Sequence, residues 1–394
     1  MIANVVHISL NARGGGERLA VTTIKALSSM GIQVELATVE KPNMTLIRDA
    51  YGISIERDLK RVRTLSLFHG LEKGITINTH GDLLPFFRRN FNRKNSIVYC
   101  HYPIALHLME CGDADYARVL NNTCLYTTTE KGRRLYFEAA KEAYRNMITS
   151  SLVLTNSEFS RKAIFKTFGV DSIVLNPPVD TDVFRNAALY SNVRDNSILV
   201  VSRFHPSKKI ENAIYLAKLL KQNGIDGKMV IAGNMSPEGT SYFDHLRKLA
   251  SHHGLEDFVR FETNIRFDRL LYLMRKAKVY FHPLPGEPFG ISTVEAMSAG
   301  LIPVVPDIGG HTEFVPTKYQ FHTFGQGLEA VARALDASMS ERVQMSHYIQ
   351  KYSTSNFVKK FQQIVSKVLD VKGVVESAPV ISVKRVSEPT TATA

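Results

Sequence analysis

Two carboxylates eight residues apart, Glu287 and Glu295, lie in the stretch GEPFGISTVEAMSAGLIPVVPDIGG that runs from Gly286 to Gly310. Glu287 falls in a Pro/Gly loop. Glu295 interrupts an apolar pattern of helical spacing, between Val294 and Ala296, where a face packed on a core has no use for a charge. With Ile291 as the first helical residue and Gly300 as the stop, Glu287 precedes the helix and Glu295 lies one turn inside it. The N–H groups of Phe289, Gly290 and Ile291 then point out of the helix start, toward an anion or a hydroxylated ligand. Carboxylates that bracket such a site suit acceptance of hydrogen bonds from vicinal hydroxyls, a sugar on one side and a ribose on the other. A paired acid–base mechanism is the alternative, although it would recruit a water and need no diphosphate pocket. Glu295 as a simple partner of the helix dipole is the structural reading.

Three further stretches carry candidate chemistry. In VSRFHPSKK, Arg203 ends a strand and Lys208 and Lys209 follow near a helix start. Cations there oppose the helix dipole, so an anion bound between them is the functional reading. A diphosphate fits, with forked hydrogen bonds from Arg and a point charge from Lys; an ordinary solvated basic loop is the other reading. In NARGGGERLA, Gly15 and Gly16 open the first helix and allow close backbone approach to a ligand. The pattern is not GxGxxG, and a tight structural turn also accounts for glycines. In YCHYP, His101 follows a strand; it is either a polar contact in a cleft or a hydrogen-bonded structural histidine.

These stretches share a position, just after a strand, and the elements around them explain why that matters. NVVHISL, a Gly-rich turn, a helix ending near Gly31 and QVELATV form a βαβ unit, which implies a parallel sheet. GITINTH and NSIVYCHYP are further strands, and LVLTNSEFSRKAIFKTFG is a strand and a helix with Ser157 as N-cap. Residues 176–196 read as a Pro- and Asn/Asp-rich linker without sustained periodicity. The alternation then restarts at SILVVSRF. Residues 1–180 are thus expected to form one Rossmann-like domain and 190–350 a second. A closing helix is expected over 351–372, crossing back to the first domain, and a disordered tail over 373–394. In open parallel sheets, ligands sit at the carboxyl ends of the strands, so two such sheets joined by a hinge place a site in the cleft between them.

Composition narrows the classes. A chain of 394 residues is long enough for two domains. No run approaches the roughly 20 apolar residues of a membrane span, and the N-terminus reads as a first strand, not a signal peptide; a cytoplasmic protein is expected. Cys100, Cys111 and Cys124 are scattered, without a CxxC pair, which argues against disulfides and zinc. The formal net charge of +12 favours anionic partners without choosing among them.

Taken together, EPFGISTVEAMSAGLIPVV followed by GG and E resembles the EX7E signature of the family-4 glycosyltransferases of the GT-B fold. SRF…KK resembles that family's Arg/Lys pair, and NPPVDTDVF resembles its interdomain segment. The resemblance runs to about Asp370. GGGER paired with HYP is similar to the α-1,2-mannosyltransferases that extend the lipid-linked oligosaccharide. What this implies is an α/β protein of GT-B fold, two Rossmann-like domains with parallel sheets facing across a cleft. It also implies retaining, metal-independent transfer from a nucleotide sugar, with no cofactor. By position, Glu287 would contact the donor sugar hydroxyls and Glu295 the ribose. Arg203 and Lys209, with Lys208 the second choice of lysine, would neutralise the diphosphate. Gly15 and Gly16 would approach the phosphates or the acceptor, and His101 the transferred sugar near its anomeric carbon. The base would meet backbone groups around Asn264 and Ile265. The chain is expected to lack the N-terminal membrane anchor of the eukaryotic oligosaccharide enzymes.

LLPFFRRNFNRK mixes aromatic and basic residues, and Phe86–Lys94 could supply a peripheral contact with anionic lipid on the inner membrane face; a partly buried helix with a basic face is the plain reading. No nucleic-acid motif accompanies it. DAD, Asp113 to Asp115, resembles a metal-binding DxD of another glycosyltransferase fold and is out of context here. The leading expectation is a hexosyltransferase, mannose favoured, acting on a lipid-linked or glycan acceptor. Its rivals are a UDP-sugar glucosyltransferase, a phosphorylase or epimerase on the same fold, a catalytically silent scaffold that binds membrane or a partner, and, weakest, a nucleic-acid binder.

Overall fold

A computed structural model describes residues 1–12, 14–64, 74–81, 95–103, 142, 144–235 and 239–373. Phe86–Lys94, Asp113–Asp115, Cys111, Cys124 and the tail beyond Gly373 lie outside the described residues. Two wholly parallel sheets organise the chain. The first has strands β1 (Ile2–Val6), β2 (Gln33–Thr38), β3 (Leu59–Thr64), β4 (Ile75–Asn78), β5 (Ser96–Cys100), β6 (Leu152–Thr155) and β7 (Ile173–Val174), in the order 3-2-1-4-5-6-7. The second has β8 (Asp195–Val201), β9 (Lys228–Gly233), β10 (Val259–Thr263), β11 (Ala277–Phe281), β12 (Ile302–Pro306) and β13 (Gln320–Phe321), in the order 10-9-8-11-12-13. Strands such as β5 and β12 are buried along their whole length, which is why they read as continuous apolar runs rather than alternating ones.

The helices among the described residues include α1 (Gly15–Ser29), α2 (Met44–Tyr51), α3 (Glu158–Phe168), α4 (Thr181–Ala188), α5 (Glu211–Gln222), α6 (Thr240–His252), α7 (Phe267–Lys276), α8 (Ile291–Ser298), α9 (Phe324–Leu335), α10 (Met339–Tyr348) and α11 (Thr354–Gly373). Ser157 caps α3 by accepting from the Ser160 N–H. The stretch read as a linker holds a helix: in α4, Phe184 and Ala188 are buried one turn apart, against α7 and α8. Eight residues are too few for a periodic signal, so tertiary packing decides this element. The last helix, α11, returns to the first sheet. Its Phe357, Phe361 and Val365 join the core formed by Leu19, Ile24 and Leu27 of α1. Each such buried side chain stabilises the crossing by about 1.5–3 kcal/mol.

The two halves meet at the carboxyl ends of their strands. Ser157 Oγ, after β6, donates to the Pro288 carbonyl at 2.6 Å. The Phe159 N–H of α3 donates to Glu313 at 2.8 Å. Arg18 of α1 pairs with Asp180 at 2.6 Å, and the other Asp180 oxygen accepts from Thr354 at 2.7 Å, at the start of α11. In both sheets the strand order reverses next to the first strand, between β1 and β4 and between β8 and β11. Such reversals open the crevice in which ligands of these sheets bind.

Candidate active site

The loop before α8 is built by close backbone approach. Gly286 N–H donates to Ile308 O at 2.8 Å and Gly310 N–H to Glu287 O at 2.7 Å. A side chain at Gly310 would run into the Pro288 carbonyl, so the Gly309–Gly310 turn can clamp the loop only as glycine. Gly290, the N-cap of α8, has φ 98°, a left-handed value that favours glycine. The loop is thereby held in one shape, and Glu287 with it.

Glu287 is flanked by an ammonium and an imidazole. Lys208 Nζ lies 3.1 Å from its Oε2, and His282 Nε2 lies 3.5 Å from the same oxygen. Burial raises the carboxyl, but Lys208 and His282 more than offset it and hold Glu287 well below the usual carboxylate range. Both neighbours act on Oε2; among the described residues Oε1 has no hydrogen-bond partner. Glu295 is the opposite case. Among the described residues its carboxylate makes no hydrogen bond or ion pair, and burial, against the pull of Arg18 and with Asp180 adding to it, pushes it up to about 7.

The basic residues differ in their surroundings. Lys208, the second choice, is the one that reaches Glu287. Lys209 is exposed and takes the left-handed backbone, φ 49°, that ends the short turn after β8. Arg203 is exposed and makes no side-chain hydrogen bond or ion pair among the described residues. Asn264 also has a left-handed backbone, φ 53°, and its side chain accepts from the Met235 N–H at 2.9 Å; Ile265 packs partly buried beside α7. The Phe289 ring is 3% exposed and packs on Phe314 and Tyr352, so only its backbone can face a ligand.

Across the crevice, the first half presents three imidazoles that sequence reasoning mostly missed. A side chain on Gly15 would collide with Ile291, the first residue of α8, and one on Gly16 would approach His7 and His101; the Gly-rich turn therefore touches both the opposite helix and this cluster. His101 Nε2 donates to Thr79 O at 3.0 Å, and burial pushes its pKa down to about 4. His80 stacks edge-on against His7, and burial, with His7 and His101 nearby, pushes it down to about 3. His7 Nε2 lies 3.5 Å from Glu17, whose other oxygen accepts from the Gly14 N–H at 2.7 Å. Burial raises Glu17, yet His7 and the Gly14 N–H hold it down at about 2. The signal that could have found His7, His80 and His282 was their place within two residues of the ends of β1, β4 and β11, at the two reversals.

Similarity to known proteins agrees with this geometry. The fold is that of the GT-B glycosyltransferases: a sucrose-phosphate synthase structure from Thermosynechococcus elongatus superposes with TM-score 0.69 over 94% of this chain and all of that one, at 13% identity. Residues 185–355 match the family described as glycosyl transferases group 1. A Dictyostelium discoideum protein named "GDP-Man:Man(3)GlcNAc(2)-PP-Dol alpha-1,2-mannosyltransferase" is 26% identical over 298 residues, 69% of this chain and 59% of that protein. A Komagataeibacter xylinus protein named "GDP-mannose:cellobiosyl-diphosphopolyprenol alpha-mannosyltransferase" is 30% identical over 136 residues, 34% of this chain and 33% of that protein. The chain spans about three fifths or less of the length of these curated relatives. Among the described residues, no helix is long and apolar enough to cross a membrane.

Proposed function

We propose that the chain is a retaining, metal-independent hexosyltransferase that moves mannose from GDP-mannose to a lipid-linked or glycan acceptor. The observation that carries this reading is the pair of acids around the start of α8. Glu287 is ionised and, among the described residues, has Oε1 available, and Glu295 is a carboxyl without a partner among them, one turn inside the helix. Glu287 accepts from the donor sugar hydroxyls and Glu295 from the ribose. Arg203 and Lys208, with Lys209 nearby, neutralise the diphosphate, and the N–H groups at the start of α8 add to this. The base meets the backbone at Asn264 and Ile265. His101, a neutral imidazole at physiological pH, contacts the transferred sugar.

In the reaction the bond from the anomeric carbon to the diphosphate oxygen breaks and a bond to the acceptor oxygen forms on the same face. The acceptor proton passes to the departing phosphate oxygen, so no protein nucleophile is required. Catalysis is then positioning and stabilisation of the leaving diphosphate. The choice of mannose is supported by the relatives, whose names share a GDP-mannose donor and a diphosphate-linked lipid. Phe86–Lys94 remains a proposed contact with anionic membrane, which co-sedimentation with anionic liposomes at low salt tests.

A thermal-shift panel of GDP, UDP, ADP and their sugars, without added metal, tests the donor. A nucleotide that binds only the folded chain raises the melting temperature. The expected result is a shift with GDP and GDP-mannose that is lost in Glu295→Ala. A shift with UDP alone would redirect the donor, and none with any nucleotide would favour the silent scaffold.

A further inference from the structure

Behind Glu287 lies a run of polar side chains that the transfer reaction does not use. Ser292 Oγ lies 2.7 Å from the Tyr280 hydroxyl, the Tyr280 hydroxyl 3.1 Å from His282 Nδ1, and His282 Nε2 3.5 Å from Glu287. Tyr280 is fully buried and His282 is 5% exposed. Both belong to the β11 end of the second sheet, at its reversal, and Ser292 is the second residue of α8.

The chain of contacts has a direction. Nε2 of His282 faces a carboxylate, so a neutral ring carries its proton there and Nδ1 is an acceptor. The Tyr280 hydroxyl must then donate to Nδ1, and its oxygen accepts from Ser292. Burial keeps the Tyr280 phenol far above its ordinary range, so the proton it donates is present. Lys208 alone could not orient Glu287, because an ammonium on a flexible stem is a point charge without a preferred plane. A planar imidazole, itself anchored, supplies that orientation. The 3.5 Å gap is longer than a formed hydrogen bond, and contacts of this kind tighten when substrate binds.

We propose that Ser292, Tyr280 and His282 form a positioning relay. It fixes the tautomer of His282 and so holds Glu287 Oε2, leaving Oε1 aimed at the ligand. Ser292 sits where the diphosphate meets α8, so the relay also joins the phosphate end of the donor to the carboxylate that holds its sugar. The inference rests on the reading of Glu287 as the donor-sugar residue.

Two measurements separate the relay from that reading. Nitrogen-15 NMR of histidine-labelled full chain, with His282 assigned by its loss in His282→Gln, reads the tautomer without any ligand. The wild type is expected to show the Nε2–H form and Tyr280→Phe a mixture. GDP release from GDP-mannose reads the function: Tyr280→Phe should lower turnover about tenfold, the scale of one lost buried hydrogen bond, with the donor KM changed less than about threefold. His282→Gln places an amide N–H near Nε2 and needs no tyrosine, so Tyr280→Phe added to it should cost nothing further. An unchanged tautomer in Tyr280→Phe, or a lower melting temperature with turnover intact, overturns the relay. The expected tautomers together with no GDP release from wild type would leave the relay as a structural device and overturn the donor reading and the catalytic part of the inference.

Discussion

Glu287 and Glu295 carry the same side chain on either side of one helix start, and both have lost most of their water. Lys208 and His282 hold the first ionised. Among the described residues the second has no partner, and burial lifts it to about 7. Desolvation acts on both; only the supply of opposite charge differs. A site that must grip a sugar in a fixed orientation benefits from a carboxylate locked before the ligand arrives. A site whose partner is a ribose can leave its acid unpaired and let the ligand hydroxyls satisfy it. The first half of the molecule repeats the locked arrangement, with His7 and the Gly14 N–H around Glu17, and there the tied carboxylate holds the Gly-rich turn.

The sharpest way to break the contrast is to remove the locked acid. Glu287→Ala should lower GDP release from GDP-mannose by about 10²–10³-fold, the cost of one lost preorganised electrostatic contact, while GDP still raises the melting temperature. Glu295→Ala should do the reverse first: GDP affinity by calorimetry should fall by about 10–100-fold, as one or two hydrogen bonds to a charged acceptor are lost.

A titration sharpens the difference further. In the proposed donor complex only an ionised Glu295 would accept from both ribose hydroxyls, so GDP affinity should weaken as pH falls through about 7, by up to about tenfold per pH unit below it. Glu295→Gln should bind weakly and without that slope; an equal slope in the variant would assign the proton elsewhere. The smallest effect is on stability, and it has opposite signs at the two acids. A carboxyl raised in the folded state costs stability as pH climbs from its ordinary value to about 7, and the cost persists above. Glu295→Gln should therefore melt higher than wild type at about pH 8 and lose that advantage near pH 4. A carboxyl depressed by its neighbours adds stability at neutral pH that is lost in acid, so Glu287→Gln should melt lower than wild type at about pH 8 and approach it in acid. The shifts are a few degrees, at about 2–4 °C per kcal/mol for a domain of this size.

Much of this was legible in one dimension, because parallel strands covered on both faces leave unbroken apolar runs and the turns between them need glycine and proline. The α/β alternation, the two sheets and the post-strand position of the candidate residues follow from those local rules. The linker reading failed at α4, which is too short to announce itself and exists because Phe184 and Ala188 find a buried partner. Lys208 and Lys209 are chemically identical neighbours. Only the turn, which gives Lys209 a left-handed backbone and points Lys208 at Glu287, distinguishes them.

The amino-acid sequence by itself determined which elements form and which side chains stand at their ends, since both depend on neighbours a few residues away. It could not determine the charge on Glu287 or Glu295, the convergence of His7, His80 and His101, or the relay from Ser292 to His282. Those rest on groups brought together from distant parts of the chain. In a desolvated site the strength of each electrostatic contact depends on separations of a few ångströms, and only the folded chain sets them.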